Sequence, residues 1–536
     1  MDQIVDLEGI RLAISADEIR ERRDFVQLAG ARVTLSLPRP PIRFFRHGWQ
    51  SWSLAAWTEL HPLPIPKPHL LHPMQTDLRY AREKQPNGSW VGAVEFDDGN
   101  ALLLGALGTD AHVALTEGGA GARLEGWFEG GNGEWLAAYG AKHTVFEAYA
   151  ELLAERFGKA RGLPAPRVWC SWYSLYTEID EPILDKIFRD LGDLPFDVLQ
   201  VDDGWQIAVG DWEANAKFPA GMTALADKIR STGRRAGLWL APLIAVKSSR
   251  LFREHRDWFL RDGRGKLVSA AFNWGEQLYA LDTTHPAVSD WLANLMKQVR
   301  AWGFDYIKLD FLYAGALEGR RHDDMPREAA YRRGLQVLRE AMGTDTYFLT
   351  CGAPIIPSLG LCDALRVGPD VSNEWENHRD ARQLYNLAMP GAKNAIRTTV
   401  NRLWLRPLVQ PDPDVVYFRT KECKLTRKEK RLLQDLALVC DFKATSDLPQ
   451  WLSAKELEEL RTFLKAAPKV RQLDLYKYQI DQRDLDFSPF VTIPTPLKGA
   501  ESLAGHFVGW AAGQPIVLKI FDARGRASLK KLRKKL

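Results

Sequence analysis

The period of the apolar positions changes along the chain, and each change predicts a different architecture. From Met1 to about Tyr139 short runs alternate apolar with polar residues, as in Arg32-Val33-Thr34-Leu35-Ser36-Leu37. Pro40-Pro41, Asn87-Gly88, Asp97-Asp98-Gly99-Asn100 and Gly118-Gly119-Ala120-Gly121 interrupt them as turns. This pattern predicts an antiparallel β domain. The last glycine stretch lacks the Gly-Lys-Ser/Thr of a phosphate loop and is flanked by alternation, so it reads as a hairpin turn. From Val145 to Phe157 the spacing becomes helical, and Gly162-Leu163-Pro164-Ala165-Pro166 then punctuates the chain.

Beyond Arg167 short buried-strand patterns alternate with amphipathic helices, the repetition of a parallel sheet or barrel. Candidate strands are Val168–Ser174, Val198–Asp203, Ala236–Pro242, Tyr306–Phe311, Tyr347–Cys351, Ala364–Val367, Arg397–Leu403 and Val415–Phe418. Eight such units over roughly 250 residues match a closed (β/α)8 barrel. After a helical stretch at Ala454–Ala466, alternation returns in Gln472–Tyr476, His506–Trp510 and Pro515–Phe521. The expected protein is therefore multidomain: an N-terminal antiparallel β-sandwich domain with a linker helix (1–162), a central (β/α)8 TIM barrel (163–445) and a small C-terminal antiparallel β domain (446–536). The basic tail Lys530-Lys531-Leu532-Arg533-Lys534-Lys535-Leu536 reads as a solvated end.

Composition narrows the class. The chain has 536 residues, 46% of them hydrophobic and 26% charged, which excludes a mainly disordered, collagen-like or disulfide-scaffold protein. A net charge of +4 gives no bulk argument for binding nucleic acid. Cys170, Cys351, Cys362, Cys423 and Cys440 form no Cys-x-x-Cys pair and suggest no disulfide framework, so a reducing cytoplasm fits. The acidic start, Met1 to Glu8, lacks the order of a secretory signal. The longest apolar run, Leu238 to Val246, falls short of the roughly 20 residues that span a bilayer, so a soluble protein without a membrane partner is expected. Nineteen tryptophans are compatible with a tryptophan-rich core or with enclosure of an amphipathic ligand, and for most of them the core is the simpler use.

Three polar clusters follow strand-like runs: Val201-Asp202-Asp203-Gly204-Trp205-Gln206, Tyr306-Ile307-Lys308-Leu309-Asp310-Phe311 and Leu365-Arg366-Val367-Gly368-Pro369-Asp370. A (β/α)8 barrel gathers the carboxyl ends of its strands on one rim, so clusters distant in sequence meet there. Alternation along a strand puts Lys308 with Asp310, and Arg366 with Gly368 and Asp370. A cation beside a carboxylate keeps it ionised, as a nucleophile requires, while desolvation keeps a second carboxyl protonated, as an acid requires. Two carboxyls with such separated roles suit glycosidic bond cleavage. A single such Asp would more simply be a structural ion pair; three clusters on one rim favour the site. Metal catalysis by Mg²⁺ or Mn²⁺ fits less well beside Lys and Arg, and His255, His285, His322 and His378 are scattered, with surface or capping uses. The Gly-x-Ser-x-Gly of a serine hydrolase is absent. Trp172, Trp205 and Trp239 stand near predicted strand ends, where sugar stacking and core packing compete evenly. Gly48-Trp49-Gln50-Ser51-Trp52-Ser53 is polar and glycine-led, as in a loop reaching the barrel mouth.

Taken together, Trp169-Cys170-Ser171-Trp172-Tyr173, Gln200 to Trp205, Gly237-Leu238-Trp239-Leu240-Ala241-Pro242, Lys308-Leu309-Asp310-Phe311, Cys351-Gly352-Ala353-Pro354, Arg366 to Asp370 and the Gly48–Ser53 motif resemble the α-galactosidases of glycoside hydrolase family 36, especially its short bacterial, thermophile-type members. The resemblance implies Asp310 as nucleophile and Asp370 as general acid/base. It implies Lys308 and Arg366 as holders of sugar hydroxyls, and Asp202 and Asp203 as the pair receiving the galactose O4 and O6. Cys351 and Gly368 would line the wall, Trp239 and Trp172 the floor and sides, with Trp49 or Trp52 added from the first domain. Two departures stand out. Leu309 replaces a frequent Trp at a position pointing away from the site, and Pro411-Asp412-Pro413-Asp414 replaces Asn-Asp-Pro-Asp at what reads as the outer rim. The implied activity is a retaining exo-α-galactosidase acting on galactose-containing oligosaccharides such as melibiose and raffinose, without metal or cofactor. Its rivals are an α-N-acetylgalactosaminidase, a galactosyl transferase of raffinose-synthase type, a non-catalytic carbohydrate-binding barrel and a metal-dependent sugar isomerase.

Overall fold

The computed structural model describes residues 3–60, 75–81, 83, 85–118, 121–160, 163–376 and 390–493. The alternating N-terminal runs form two antiparallel sheets that pack on each other. The six-stranded sheet runs Gln3–Leu7, Ile10–Ser15, Arg32–Ser36, Gly121–Phe128, Ala111–Gly118, Asn87–Ser89 in spatial order. The seven-stranded sheet runs Glu18–Glu21, Val26–Gly30, Gly133–Gly140, Ala101–Ala106, Val91–Glu95, Arg43–Arg46, Ala56–Glu59. Alternate residues Leu12, Ile14, Val33 and Leu35 are buried, as a half-buried strand requires. Ala101–Ala106 is buried on both faces, because the helix Lys142–Phe157 covers the side away from the other sheet. Tyr149 of that helix donates to the Ala106 carbonyl at 2.8 Å.

Two glycine features resolve differently. The expected hairpin at Gly118–Gly121 is present, with Gly118 paired to Gly121 at its end. Asn87-Gly88, expected as a turn, is instead a buried strand paired with His112–Ala114. A Cβ at Gly88 would lie 2.9 Å from the His47 backbone nitrogen, so here glycine permits close approach of two chains.

Eight parallel strands follow in spatial order Gln410–Asp412, Ala364–Arg366, Tyr347–Thr350, Tyr306–Leu309, Arg235–Leu240, Val198–Val201, Val168–Cys170, Ala444–Thr445. The sheet curls so that its ends meet through the parallel bridge Val416–Thr445. In chain order these are barrel strands one to eight, from Val168–Cys170 to Ala444–Thr445. Helices Glu181–Asp190, Gly221–Ser231, Pro286–Ala301, Arg327–Met342, Ala392–Val400, Arg427–Cys440 and Ala454–Lys465 follow individual strands, and the short helix Ile355–Ser358 follows the fifth. In register across the fourth and fifth strands, Tyr306 stacks on Tyr347 at 5.4 Å.

Six predicted strands are present, somewhat shortened; the last two are corrected. Arg397–Leu403 overlaps the helix Ala392–Val400, in which every residue from Ala395 to Val400 is buried. Val415–Phe418 lies outside the named strands and contributes only the closing bridge at Val416. The seventh and eighth strands are Gln410–Asp412 and Ala444–Thr445.

Past the helix Ala454–Lys465, the strands Val470–Asp474, Lys477–Ile480 and Arg483–Asp486 form a small antiparallel sheet. Its Tyr476 hydroxyl accepts from Trp57 Nε1 at 2.5 Å and donates to Asn401 Oδ1 at 2.9 Å, joining the N-terminal sheet, the barrel and the last sheet. The strands expected at His506–Trp510 and Pro515–Phe521, the basic tail and His378 lie outside the described residues. Among the described residues no helix is long and apolar enough to cross a membrane.

Candidate active site

The fourth strand delivers Lys308 and Asp310 to the carboxyl-terminal rim, as its alternation predicts. Asp310 Oδ2 accepts from Trp239 Nε1 at 3.0 Å, and its Oδ1 accepts from the Phe311 amide at 2.8 Å. Phe311 adopts φ +54°, a left-handed turn that ends the strand beneath the carboxylate. Lys308 pairs directly with Asp202, not with Asp310, at 3.0 Å. Burial works against the Lys308 charge, but Asp202, with Cys351 and Asp310 adding to it, outweighs burial and lifts its pKa well above the ordinary lysine value. The donors fixing Asp310 are therefore neutral N–H groups.

From the end of the second strand, Asp202 also accepts from Gln200 Nε2 at 2.6 Å. Asp203 accepts from Gln206 Nε2 at 2.6 Å and from Trp274 Nε1 at 2.7 Å. Burial raises the Asp203 pKa to about 6, with those two donors opposing the shift. Trp274 escaped the sequence reading. It sits at the tip of the hairpin Ser269–Asn273/Glu276–Ala280 with φ +52°, half-buried, its ring 6.3 Å from Trp239 and 5.3 Å from Phe311. The only sequence signal for it was the tight Asn273-Trp274-Gly275 turn.

On the opposite side Arg366, ending the sixth strand, contacts three carboxylates: Asp412 at 3.0 Å from Nε, Asp370 at 3.1 Å from Nη1 and Asp414 at 2.9 Å from Nη2. Asp412 and Asp414 are thus inside the rim, and the reading of their loop as outer rim is corrected. Burial disfavours the Arg366 charge, but Asp412 and Asp414 reverse the effect and raise its pKa further. Asp370 keeps 35% of its side chain exposed, whereas Asp412 and Asp414 are almost completely covered. Its pKa is raised, first by desolvation, with Arg366 opposing and Asp310 adding. The charge of Asp310 thus reaches Asp370.

The Gly48–Ser53 loop does reach the barrel. Gln50 bridges Pro354, and the Ser51 amide donates to the Ala353 carbonyl at 3.0 Å. The loop is clamped by Arg402, a fully buried residue that the sequence reading did not single out. Its guanidinium donates to the backbone carbonyls of Gly48, Gln50, Ser51, Ser53 and Val367 at 2.6–3.1 Å. With no carboxylate opposing burial, its pKa falls to about 9. Trp52 stands edge-on to Phe311 at 5.2 Å, beside the residue that follows Asp310. Trp49 is packed deeper, its ring beneath the Arg327 guanidinium at 5.1 Å. Gly352 takes φ +54° under Trp52, where a Cβ would come 3.0 Å from the Trp52 ring.

Trp239 is buried, with its ring 5.9 Å from Trp212. Trp172 is half-buried on the short helix Trp172–Leu175, edge-on to Tyr176 at 5.2 Å. Trp205 is core, its Nε1 donating to the Trp239 carbonyl at 3.0 Å. Cys351 is buried, and its thiol pKa is pushed far up by desolvation, then by Asp310. A Cβ on Gly368 would come 2.6 Å from Thr399 Oγ1, so that glycine lets the rim pack on the helix Ala392–Val400. His285, expected in a capping role, caps the helix Pro286–Ala301 by accepting from the Ala287 amide at 3.2 Å. Among the described residues no group of three His, Cys, Asp or Glu side chains is placed to hold a metal ion.

A parallel barrel whose rim carries several carboxylates and hydrogen-bonding tryptophans fits the class of glycoside hydrolases. Comparison with known proteins agrees. The Melibiase family model matches residues 140–344. The solved α-galactosidase of Thermus thermophilus, in complex with p-nitrophenyl α-D-galactopyranoside, is 44% identical with a TM-score of 0.85, over 91% of this chain and 100% of that one. The α-galactosidase AgaA of Geobacillus stearothermophilus is 28% identical over 187 residues, 32% of this chain and 24% of that protein, so only about a quarter of its length is matched. Its family 36 crystal structure, 16% identical with a TM-score of 0.55 over 85% of this chain and 66% of that one, shares the fold. The chain belongs to the α-galactosidases of glycoside hydrolase family 36.

Proposed function

We propose that the protein is an exo-α-galactosidase that removes terminal α-linked galactose from oligosaccharides such as melibiose and raffinose, with retention at the anomeric carbon. The observation that carries this reading is the pair Asp310 and Asp370. Asp310 is buried and held by neutral donors, and Asp370 is a third exposed with its pKa raised by burial, to which the charge of Asp310 adds. The Thermus thermophilus relative, 44% identical, was solved with an aryl α-galactoside and also with stachyose, which supports a galactose-containing substrate.

In this mechanism Asp310 attacks the anomeric carbon as the glycosidic C–O bond breaks, and Asp370 gives its proton to the leaving oxygen. Water then displaces Asp310 from the covalent galactosyl-enzyme and returns a proton to Asp370. Asp202, Asp203 and Lys308 receive sugar hydroxyls on one side, and Arg366 and Cys351 stand on the other. Trp239 and Trp172 offer ring faces to the sugar's C–H surface, with Trp274 and Trp52 at the outer wall. The scheme uses no cofactor. Five unpaired cysteines, four of them buried, support a reducing cytoplasm as its compartment.

The test is time-resolved NMR of the first sugar released from melibiose. α-Galactose appearing first supports the reading. β-Galactose would assign inversion, N-acetylgalactosamine released only from its own glycosides would assign the sister activity, and no release from any α-galactoside would end the proposal.

A further inference from the structure

Asp414 is held from several sides. Besides Arg366 Nη2 at 2.9 Å, it accepts from the Tyr173 hydroxyl and from the Val371 amide at 2.8 Å, and its own amide donates to Asp412 Oδ1 at 2.7 Å. Val371 is the residue after Asp370. Asp414 therefore grips both the cation that touches Asp370 and the backbone that carries it, from a left-handed conformation at φ +80°.

Resting on the reading of Asp370 as acid/base, we propose that Asp414, fixed by Tyr173, is a positioning residue for Asp370. By engaging Arg366 Nη2 it leaves Asp370 a single guanidinium contact, so that Asp370 retains the proton the leaving sugar oxygen must receive. The charge count supports this. One guanidinium shared among three carboxylates neutralises none of them completely, whereas an arginine paired to Asp370 alone would hold it ionised and unable to donate. The groups facing Asp370 among the described residues are Arg366, Asp310, Lys308, Asp202, Cys351, Tyr173 and Asp414, with Asp412 acting through Arg366. Burial, with Arg366 opposing and Asp370 and Asp412 adding to it, brings Asp414 itself to about 7, so the charge of Asp370 disfavours that of Asp414.

The pH profile of kcat/KM on an alkyl α-galactoside reads the proposal, because a purely structural residue would lower the profile without moving it. Asp414→Asn keeps the shape and removes the charge, leaving Arg366 to Asp370 and Asp412. The basic limb should then move to lower pH by about one unit. Tyr173→Phe removes one donor that favours ionised Asp414 and leaves those of Arg366 and Val371, and should move the same limb in the same direction by less. Both variants should lose more rate on the alkyl glycoside than on a dinitrophenyl α-galactoside, whose leaving group needs no proton. A basic limb that stays at the wild-type position in folded Asp414→Asn, or in Tyr173→Phe where the first variant does not fold, overturns the proposal. Wild-type enzyme inert on both substrates would instead overturn the glycosidase reading on which it rests.

Discussion

Apart from Asp202, which pairs with Lys308, the two sides of the barrel rim hold their carboxylates in opposite ways. On the side built by the second to fourth strands, Asp310 and Asp203 are each held by an indole N–H and one further neutral donor, Phe311 N and Gln206 Nε2 respectively. On the side built by the sixth and seventh strands, Asp370, Asp412 and Asp414 divide one guanidinium. Neutral donors fix the direction of a carboxylate without cancelling its charge, which suits a group that attacks carbon or accepts sugar hydroxyls. A shared cation leaves the proton affinities of its partners balanced against one another, which suits a group that gives a proton and takes it back.

This contrast is broken most severely at Asp310. Asp310→Ala should lower kcat by at least about 10⁴-fold on every substrate, good leaving groups included, as expected for removal of a nucleophile. Steady-state rates on an aryl α-galactoside check it. Asp203→Asn should lower kcat/KM by about 100-fold, because charge-assisted hydrogen bonds to the sugar are weakened. The wild-type profile should carry an acid limb near pH 6, where Asp203 protonates, and the variant should lack it. Stability has the opposite sign. The folded pKa of about 6 lies above the ordinary 3.8, so the Asp203 contribution is fully present below 3.8 and lost as pH rises through about 6. Denaturant unfolding of wild type and variant across that window measures it.

Trp239→Phe removes the indole donor but keeps an aromatic ring, and should lower kcat/KM by about tenfold, the value of one hydrogen bond to a charged acceptor. If KM rises while kcat holds, the indole serves sugar stacking more than Asp310. The smallest catalytic effect is expected at Arg402, which touches no reacting group. Arg402→Lys should cost about 1–3 kcal/mol of stability through backbone carbonyls left without donors, with kcat at saturation nearly unchanged. A large fall in kcat would mean that the Gly48–Ser53 loop takes part in chemistry beyond shaping the pocket.

What was legible in the sequence follows the physics of its signals. Lys308-Leu309-Asp310 and Arg366 to Asp370 could be read because apolar strand residues lead into charged ends. The seventh and eighth strands could not. Gln410-Pro411-Asp412 and Ala444-Thr445 are two or three residues long and carry no run of β-branched residues, while the neighbouring Arg397–Leu403 segment carries Thr398-Thr399-Val400, which imitates a strand. That misplacement hid Asp412 and Asp414, since only the true seventh strand brings them beside Arg366. Arg402 and Trp274 were hidden for another reason. A cation whose partners are carbonyls leaves no complementary charge in the sequence, and a tryptophan at a hairpin tip looks like any other aromatic until the hairpin folds back over Asp203.

The hydroxyl of Tyr476, bonded at once to Trp57 and Asn401, has a mechanical consequence. Loosening the last sheet leaves both the Trp57 indole and Asn401 Oδ1 without this partner, so removing the Tyr476 hydroxyl should weaken the seating of that sheet on both neighbours.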